Sequence, residues 1–154
     1  MSGNKNKWKL LCSAQGLGAV VTASSSFDTN HMPTNSAIDR VPPQVFAHGW
    51  VAGRSDSSQW LQFSFGFKPV KAVSIRTQGR GEAAMWVKEY TVSTSMDGLT
   101  WTPVENNRTF GGNSDMKGQV ENTFAKPVLC RALRIKPTSW QVLIAMRADV
   151  MVKI

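Results

Sequence analysis

The chain has 154 residues with 18 Lys and Arg, 10 Asp and Glu, a net charge of +8 and two cysteines. This length fits one domain with its own hydrophobic core, and two cysteines are too few for a disulfide framework. The sequence has neither an apolar run of membrane-spanning length nor the continuous apolar segment of a signal peptide. We therefore expect a reducing compartment in which both cysteines stay thiols. The expected location is cytoplasmic, or released without a signal peptide.

The positive charge attracts polyanions in general. Recognition of nucleic acid would also need a reading module, or a basic stripe with exposed aromatic residues, and the sequence offers neither. We expect no nucleic-acid partner.

Short segments with alternating apolar and polar residues follow one another along the chain. Residues 1–9 are polar and basic and predict a flexible arm. Period-2 alternation then predicts strands at 19–24, 60–65, 70–77, 120–124, 130–136 and 146–153. Within 70–77, Val73 and Ile75 are expected to point inward. No 3.6-residue period persists for three turns, so the pattern favours an antiparallel sandwich or barrel.

The segment 77–101 predicts a β-hairpin preceded by a recognition loop. Asp97 and Gly98 suit the two central positions of a type I′ turn, and apolar residues alternate on both sides of them. Upstream, glycines on both sides of Arg80 predict an exposed loop that presents Arg80 and Glu82. Loops of this kind commonly carry recognition.

Five groups of motifs together resemble one known family. They are VTASSSF at 21–27, WLQFSFG at 60–66, TQGRG and WVKEYTVSTSMDGLTW within 77–101, FGGNSD at 110–115, and RALRIKPTSW with IAMRADV within 131–150. The chain resembles the discoidin domain, also called the coagulation factor V/VIII type C domain. The resemblance implies an all-β, discoidin-type jelly-roll sandwich or barrel of the galactose-binding-like class. It covers 10–154 as a single domain after the arm.

The resemblance also implies binding rather than catalysis. Members of the family hold sugars, anionic phospholipid heads or proteins with loops at one end of the barrel, which correspond here to 27–33, 50–58 and 80–85. The implied loop tips are His31 with Met32, Arg54, and Glu82 with Ala83. Only Met32 among these could act as an apolar wedge, so membrane insertion is not expected.

Polar and aromatic residues in these loops are candidate ligand contacts. Arg80 and Glu82 could bond sugar hydroxyls, with a surface ion pair as the alternative reading. Asn30 and His31 offer donors and acceptors for a pyranose edge, unless they only satisfy backbone turns. An exposed aromatic ring would stack on a galactose-like ring. Trp50 and Trp86 adjoin the loops and are the candidates for that contact, although Trp50 also fits a structural position.

The remaining tryptophans of strand-like segments, Trp60, Trp101 and Trp140, are expected to pack in the core. No cofactor is required. Family members often carry calcium, however, and Asp28, Asn30 and Asp39 could supply oxygen ligands to a structural ion.

The sequence argues against an enzyme, because it shows no nucleophile elbow, no paired-carboxylate motif and no histidines and cysteines at metal-ligand spacing. The leading hypothesis is a lectin-like module that recognises a galactose-type carbohydrate or glycoprotein in an adhesion role. An intracellular protein-interaction module is the alternative. Peripheral binding to anionic phospholipid is a further alternative.

Overall fold

The computed structural model describes residues 11–39, 49–66 and 68–153. Within these ranges the chain forms short antiparallel strands and two single-turn 3-10 helices. The strands are β1 Leu11–Ser13, β2 Val20–Ala23, β3 Trp50–Val51, β4 Leu61–Ser64, β5 Val70–Gln78, β6 Trp86–Ser95, β7 Thr102–Pro103, β8 Phe110–Gly111, β9 Val120–Cys130, β10 Ala132–Gln141 and β11 Ala145–Lys153. The 3-10 helices are Pro33–Asn35 and Val104–Asn106. In the described part of the chain, no helix is long and apolar enough to cross a membrane.

Two antiparallel sheets face each other across one hydrophobic core. The first has the strand order β1-β11-β5-β9, with β3 beside β11. The second has the order β2-β4-β10-β6-β7, with β8 beside β6. The two sheets together form the all-β sandwich that the sequence predicted.

Alternation along the longest strands fills the core. The inward residues of β11, which include Met146 and Val150, are fully buried, and so are Leu133 and Ile135 of β10. Tyr90 stacks on Phe110 with ring centroids 5.6 Å apart. The inward residues predicted for these strands are confirmed, because that face of each strand packs against the opposite sheet.

The predicted alternation in β5 is wrong before Ile75. Against β11, Ser74 pairs with Met151 and Ala72 with Val152, so β5 carries one extra residue, Val73, at a β-bulge that breaks the period of two. As a result Ala72 is fully buried, whereas Val73, predicted to point inward, is half-buried.

The predicted hairpin exists, but its turn is not a two-residue type I′ turn. Thr102 of β7 pairs with Thr94 of β6, so the connection is longer than predicted. Gly98 has a positive φ of 77° and Asp97 does not. Asp97 instead caps the turn, because its Oδ1 accepts hydrogen bonds from the backbone N–H groups of Leu99 and Thr100 at 2.8 and 2.7 Å.

The strand predicted at 130–136 begins later, because Cys130 ends β9 and β10 starts at Ala132. Cys130 is a buried free thiol, and burial raises its pKa to about 12. The predicted arm at 1–9 lies outside the described residues.

The sandwich has two different ends. At one end β2, β5 and β10 finish while β4, β6 and β11 begin, as the pairs Ala23 with Leu61 and Gln141 with Trp86 show. We call this the loop end, because the connections after β2, β3, β5 and β10 meet there. The opposite end, where Ala132 pairs with Ser95 and Lys153 with Lys71, is the basal end.

Candidate functional site

Backbone hydrogen bonds gather the loops at the loop end. The first loop is tied to β3, since Phe27 N donates to Val51 O and Val51 N donates to His31 O. The loop after β3 is tied to the β10–β11 connection, since Ala52 N donates to Ile144 O. These contacts place the residues after β2, β3 and β10 on one surface. The resemblance predicted loops at 27–33 and 50–58 there, but it did not include the β10–β11 connection.

His31 lies at the centre of this surface and joins two loops. Its ring is buried, with Nδ1 2.7 Å from Asp28 Oδ1 and Nε2 2.5 Å from Glu82 Oε1. Each ring nitrogen thus lies within hydrogen-bond distance of a carboxylate oxygen. His31 therefore links the loop after β2 to the loop after β5 through two carboxylates.

Arg80 completes the polar cluster. Its Nε donates to Glu82 Oε1 at 2.9 Å, and its side chain is 19% exposed against 10% for that of Glu82. Both side chains thus fold inward onto His31, whereas the sequence predicted them exposed. Gly81 permits this turn, since it adopts a φ of 89° that residues with a Cβ rarely tolerate. We call Asp28, His31, Arg80 and Glu82 the loop-end cluster.

The cluster keeps unused bonding capacity. One terminal nitrogen of Arg80, NH1, donates to the thioether of Met85 at 3.3 Å, a weak acceptor. The other, Nη2, faces His31 Nε2 at 3.1 Å, an atom that also lies 2.5 Å from Glu82 Oε1. Within the described residues, Glu82 Oε2 accepts no hydrogen bond. A ligand hydroxyl can both accept from the guanidinium and donate to the carboxylate.

Electrostatics keep both carboxylates of the cluster ionised. Burial opposes ionisation of Glu82, but hydrogen bonds from His31 and Arg80 outweigh it and lower its pKa below the ordinary value of 4.5. For Asp28 burial is the largest single effect, but His31 and the backbone N–H of Asn30 together outweigh it, so its pKa lies below 3.8. The cluster presents negative and positive groups side by side at neutral pH.

Arg147 supports the cluster from beneath, and the sequence did not predict this role. The alternation of β11 predicted an outward side chain, yet Arg147 is buried. Its Nε donates to Gly79 O at 2.9 Å and NH2 donates to Met116 O at 3.1 Å. Gly79 has no room for a side chain, because an added Cβ would lie 2.7 Å from Asp115 O. The loop that carries Arg80 is therefore fixed at its base.

The other predicted contact residues lie at different distances from the cluster. Asn30 is exposed, with its carbonyl oxygen bonded to Asn35 Nδ2 at 2.7 Å. Met32 is 41% exposed next to His31. Trp86 is half-buried at the start of β6, immediately after the Arg80 loop. Arg54 is exposed on the neighbouring loop, and no contact joins it to the cluster.

Trp50 does not fit the predicted role of a ligand contact. Its side chain is fully buried in the core, and its Nε1 donates to Ser25 O at 2.8 Å. Core packing and this bond to the first loop account for the residue, so its function is structural.

The carboxylates predicted to hold calcium, Asp28 and Asp39, each bond protein partners. Asp28 bonds His31, whereas the Oδ1 of Asp39 accepts from Gln78 Nε2 at 2.8 Å and its Oδ2 accepts from Gln119 Nε2 at 2.7 Å. Within the ranges that the structure describes, no three His, Cys, Asp or Glu side chains form a group that could hold a metal ion. The side chain of Asp39 instead joins the residues after Asn35 to β5.

Three exposed apolar side chains at the loop end, Phe27, Met32 and Val142, form what we call the apolar rim. Of these, only Met32 was predicted as a contact residue. Phe27 is 60% exposed in the first loop, and Val142 is 63% exposed in the β10–β11 connection. Val142 has a positive φ of 65°, a strained conformation for a β-branched residue. Phe27 lies within the predicted loop 27–33. A search for apolar side chains along the whole loop, rather than at its tip, would have found it.

Comparison with curated proteins identifies relatives that extend beyond this domain. The chain is 38% identical to retinoschisin of Mus musculus over 118 residues, which is 73% of this chain and 52% of that protein. It is 35% identical to coagulation factor VIII of Homo sapiens over 138 residues, 86% of this chain and 6% of that protein. The chain thus spans about half of retinoschisin and a small part of factor VIII.

Solved structures confirm the architecture. Discoidin II of Dictyostelium discoideum superposes with a TM-score of 0.87 at 21% identity, covering 94% of this chain and 59% of that one. The family 32 carbohydrate-binding module of C. perfringens NanJ, solved in complex with galactose, gives a TM-score of 0.68 at 19% identity and covers 92% and 98% of the two chains. Residues 20–150 match the F5/8 type C domain, and the chain belongs to that family.

Proposed function

We propose that this domain is a non-catalytic binding module that recognises a galactose-type carbohydrate or glycoprotein through the loop-end cluster. The observation that carries the proposal is the free capacity of Arg80 and Glu82, which face the same surface and are held in place by His31. Neighbouring hydroxyls of a pyranose can satisfy both groups at once.

Two further features support a sugar ligand. Trp86 is half-buried next to the Arg80 loop, where an aromatic ring can contact the apolar face of a galactose-type ring. The family 32 carbohydrate-binding module of C. perfringens NanJ, a structural neighbour of this chain, was solved in complex with galactose. The galactose type of the sugar is part of the proposal. The polar groups of the cluster require a ligand with neighbouring hydroxyls.

The experiment is retention on a glycan array with the variant Arg80→Ala. We expect selective retention of the unsubstituted protein on terminal galactose or N-acetylgalactosamine, and loss of retention in the variant without a large change in melting temperature. Arg76→Ala is the matched control, because Arg76 also pairs with a glutamate, Glu121 at 3.3 Å, but lies in mid-sheet. Full retention by Arg80→Ala would refute the site.

The apolar rim favours a protein partner as a second candidate. Phe27 and Met32 flank the buried polar cluster, and exposed apolar side chains beside buried charges are typical of protein interfaces. A blank array on folded protein, together with a captured partner that Phe27→Ser releases, would favour this candidate over the sugar.

A further inference from the structure

The basal end carries an uncompensated row of positive charge. Lys153 of β11 pairs directly with Lys71 of β5, and Lys71 pairs directly with Leu129 of β9. Directly opposed residues in an antiparallel sheet point to the same face. Because the neighbouring Ala72 and Val152 are buried, this face is the outer one.

The two lysines do not stabilise the sheet. Like charges directly opposite each other repel, and in the described part of the chain neither lysine has a carboxylate within ion-pair distance. Arg131, in the single-residue connection between β9 and β10, is exposed and has no such partner among the described residues either. An arrangement that costs stability requires another explanation.

The acidic residues of the chain lie elsewhere. All 10 Asp and Glu of the sequence fall within the described ranges. The structure therefore gives the position of every side-chain carboxylate. In the connections that close the basal end, the one carboxylate is that of Asp97, and it is engaged by the turn that it caps. Within the described residues, the cations of the basal end therefore lack carboxylate partners.

Exposed apolar side chains adjoin these cations. Leu99, in the turn after β6, is 85% exposed, and Met96 and Leu129 are 45% and 52% exposed. Met96 and Leu129 line the same open groove of about 360 Å³. Met96 and Arg131 line the adjoining one. The cations and the apolar side chains therefore form one continuous surface.

We propose that this surface docks on an anionic phospholipid membrane, with the loop end facing away from the lipid. The basal patch consists of Lys71, Met96, Leu99, Leu129, Arg131 and Lys153. Its lysines and arginine match the negative lipid headgroups. Leu99 and its apolar neighbours enter the interface below the headgroups.

The apolar members distinguish a membrane from a soluble polyanion. A sulfated polysaccharide or a nucleic acid would satisfy Lys71, Lys153 and Arg131 but would leave Leu99 in water. Docking by the basal patch leaves the loop-end cluster free, so one domain can hold a membrane and a second ligand at opposite ends. The basal patch and the proposed sugar site are independent and can fail separately.

The test is cosedimentation with phosphatidylcholine vesicles that contain phosphatidylserine, and with vesicles that lack it. We expect binding only to the anionic vesicles and a steep loss of affinity with salt. Each lysine near the surface contributes roughly a factor of five, so Lys71→Glu with Lys153→Glu should weaken binding by at least about thirtyfold. The melting temperature should stay nearly unchanged, because one exposed pair of like charges replaces another.

The matched control is Lys88→Glu with Lys117→Glu, which changes the net charge equally at exposed positions outside the patch. It should retain vesicle binding. Leu99→Ser should weaken binding without changing its salt dependence. Glycan retention should be the same in all these variants.

Four results would overturn the proposal. The first is the absence of wild-type binding to anionic vesicles at low salt, and the second is an equal loss of vesicle binding in the control variant Lys88→Glu with Lys117→Glu. The third is abolition of vesicle binding by Phe27→Ser with Met32→Ser, which would assign membrane contact to the loop end. The fourth is capture by immobilised heparin, sensitive to Lys71→Glu with Lys153→Glu, by protein that does not bind vesicles. This last result would assign the patch to a soluble polyanion.

Discussion

The imidazole of His31 and the carboxylate of Glu82, 51 residues apart in sequence, lie 2.5 Å apart and tie the loop after β2 to the loop after β5. Both groups are largely buried, and the same carboxylate oxygen also accepts from Arg80. The position of the Arg80 guanidinium therefore depends on His31, which the ligand does not have to touch.

Replacement of His31 by Ala should destabilise the domain and disorder the proposed site. It removes two charge-assisted hydrogen bonds and leaves Glu82 short of a donor, which costs about 2 to 3 kcal/mol of unfolding free energy. Urea unfolding at neutral pH measures the loss. In the double variant with Glu82→Gln the two effects should be less than additive. Additive effects would mean that the two residues do not interact.

Acidification should weaken the same link. The pKa of Glu82 is lowered in the folded protein, from 4.5, so its contribution is fully present above that ordinary value and is lost as the pH falls through the lower folded value. Asp28 acts in the same direction, from 3.8. Stability measured by urea unfolding should thus fall with pH below about 4.5.

The variant Glu82→Gln tests the assignment. Its unfolding free energy should depend less on pH in this acid range than that of the unsubstituted protein, because one of the titrating groups is gone. Glu89→Gln, at an exposed position on β6, is the control. Parallel pH curves for Glu82→Gln and the unsubstituted protein would contradict the prediction.

Chelation of divalent cations should leave stability unchanged. The residues predicted to hold calcium already have partners: Asp28 bonds His31, and both oxygens of Asp39 accept hydrogen bonds from glutamine amides. Melting temperatures with added calcium and with chelator should agree. A clear rise with calcium would show that a site exists that these side chains do not account for.

Local patterns predicted the members of the loop-end cluster but not their contacts. Glycines around Arg80 and turn-forming residues around His31 indicate two polar loops. That His31 is buried against Glu82 depends on the meeting of the loops after β2 and β5 at the loop end, which no local pattern encodes. The same limit explains Arg147: alternation predicted an outward side chain, whereas the loops that fold over that face bury it.

The fold was easier to predict than its irregularities. Alternation of apolar and polar residues identifies strands that pack one face against the other sheet, such as β10 and β11. It fails at the bulge after Ala72, where the extra residue of β5 relative to β11 changes the face, and at Asp97, which acts through its side chain rather than through a positive φ. Trp50 was ambiguous because large aromatic residues serve both cores and ligand sites.

Trp50 and Trp86 should respond in opposite ways to substitution. Trp50→Phe removes a hydrogen bond of 2.8 Å and part of a fully buried ring, so it should cost about 1 to 3 kcal/mol of stability. Trp86→Ala should change stability less and should weaken retention of a sugar by about tenfold. Urea unfolding and affinity chromatography on immobilised galactose separate the two roles. Loss of retention in Trp50→Phe without loss of stability would reverse the assignment.

Arg134 is stacked between two tryptophans on the outer face of the second sheet, where the sequence predicted core packing for both rings. Its guanidinium carbon lies 3.9 Å from the ring centroid of Trp60 and 4.1 Å from that of Trp101, and its Nε donates to Gln62 Oε1 at 2.9 Å. The stack holds the β6–β7 connection, which carries Trp101, against β4 and β10.

Arg134→Ala should lower the unfolding free energy by about 1 to 2 kcal/mol through loss of two cation–π contacts. Arg134→Lys keeps the charge but not the planar group that lies against both rings, so it should recover only part of the loss. Urea unfolding followed by tryptophan fluorescence measures both effects, since Trp60 and Trp101 report on the stack. Full recovery by lysine would show that charge alone, rather than stacking between the rings, stabilises this face.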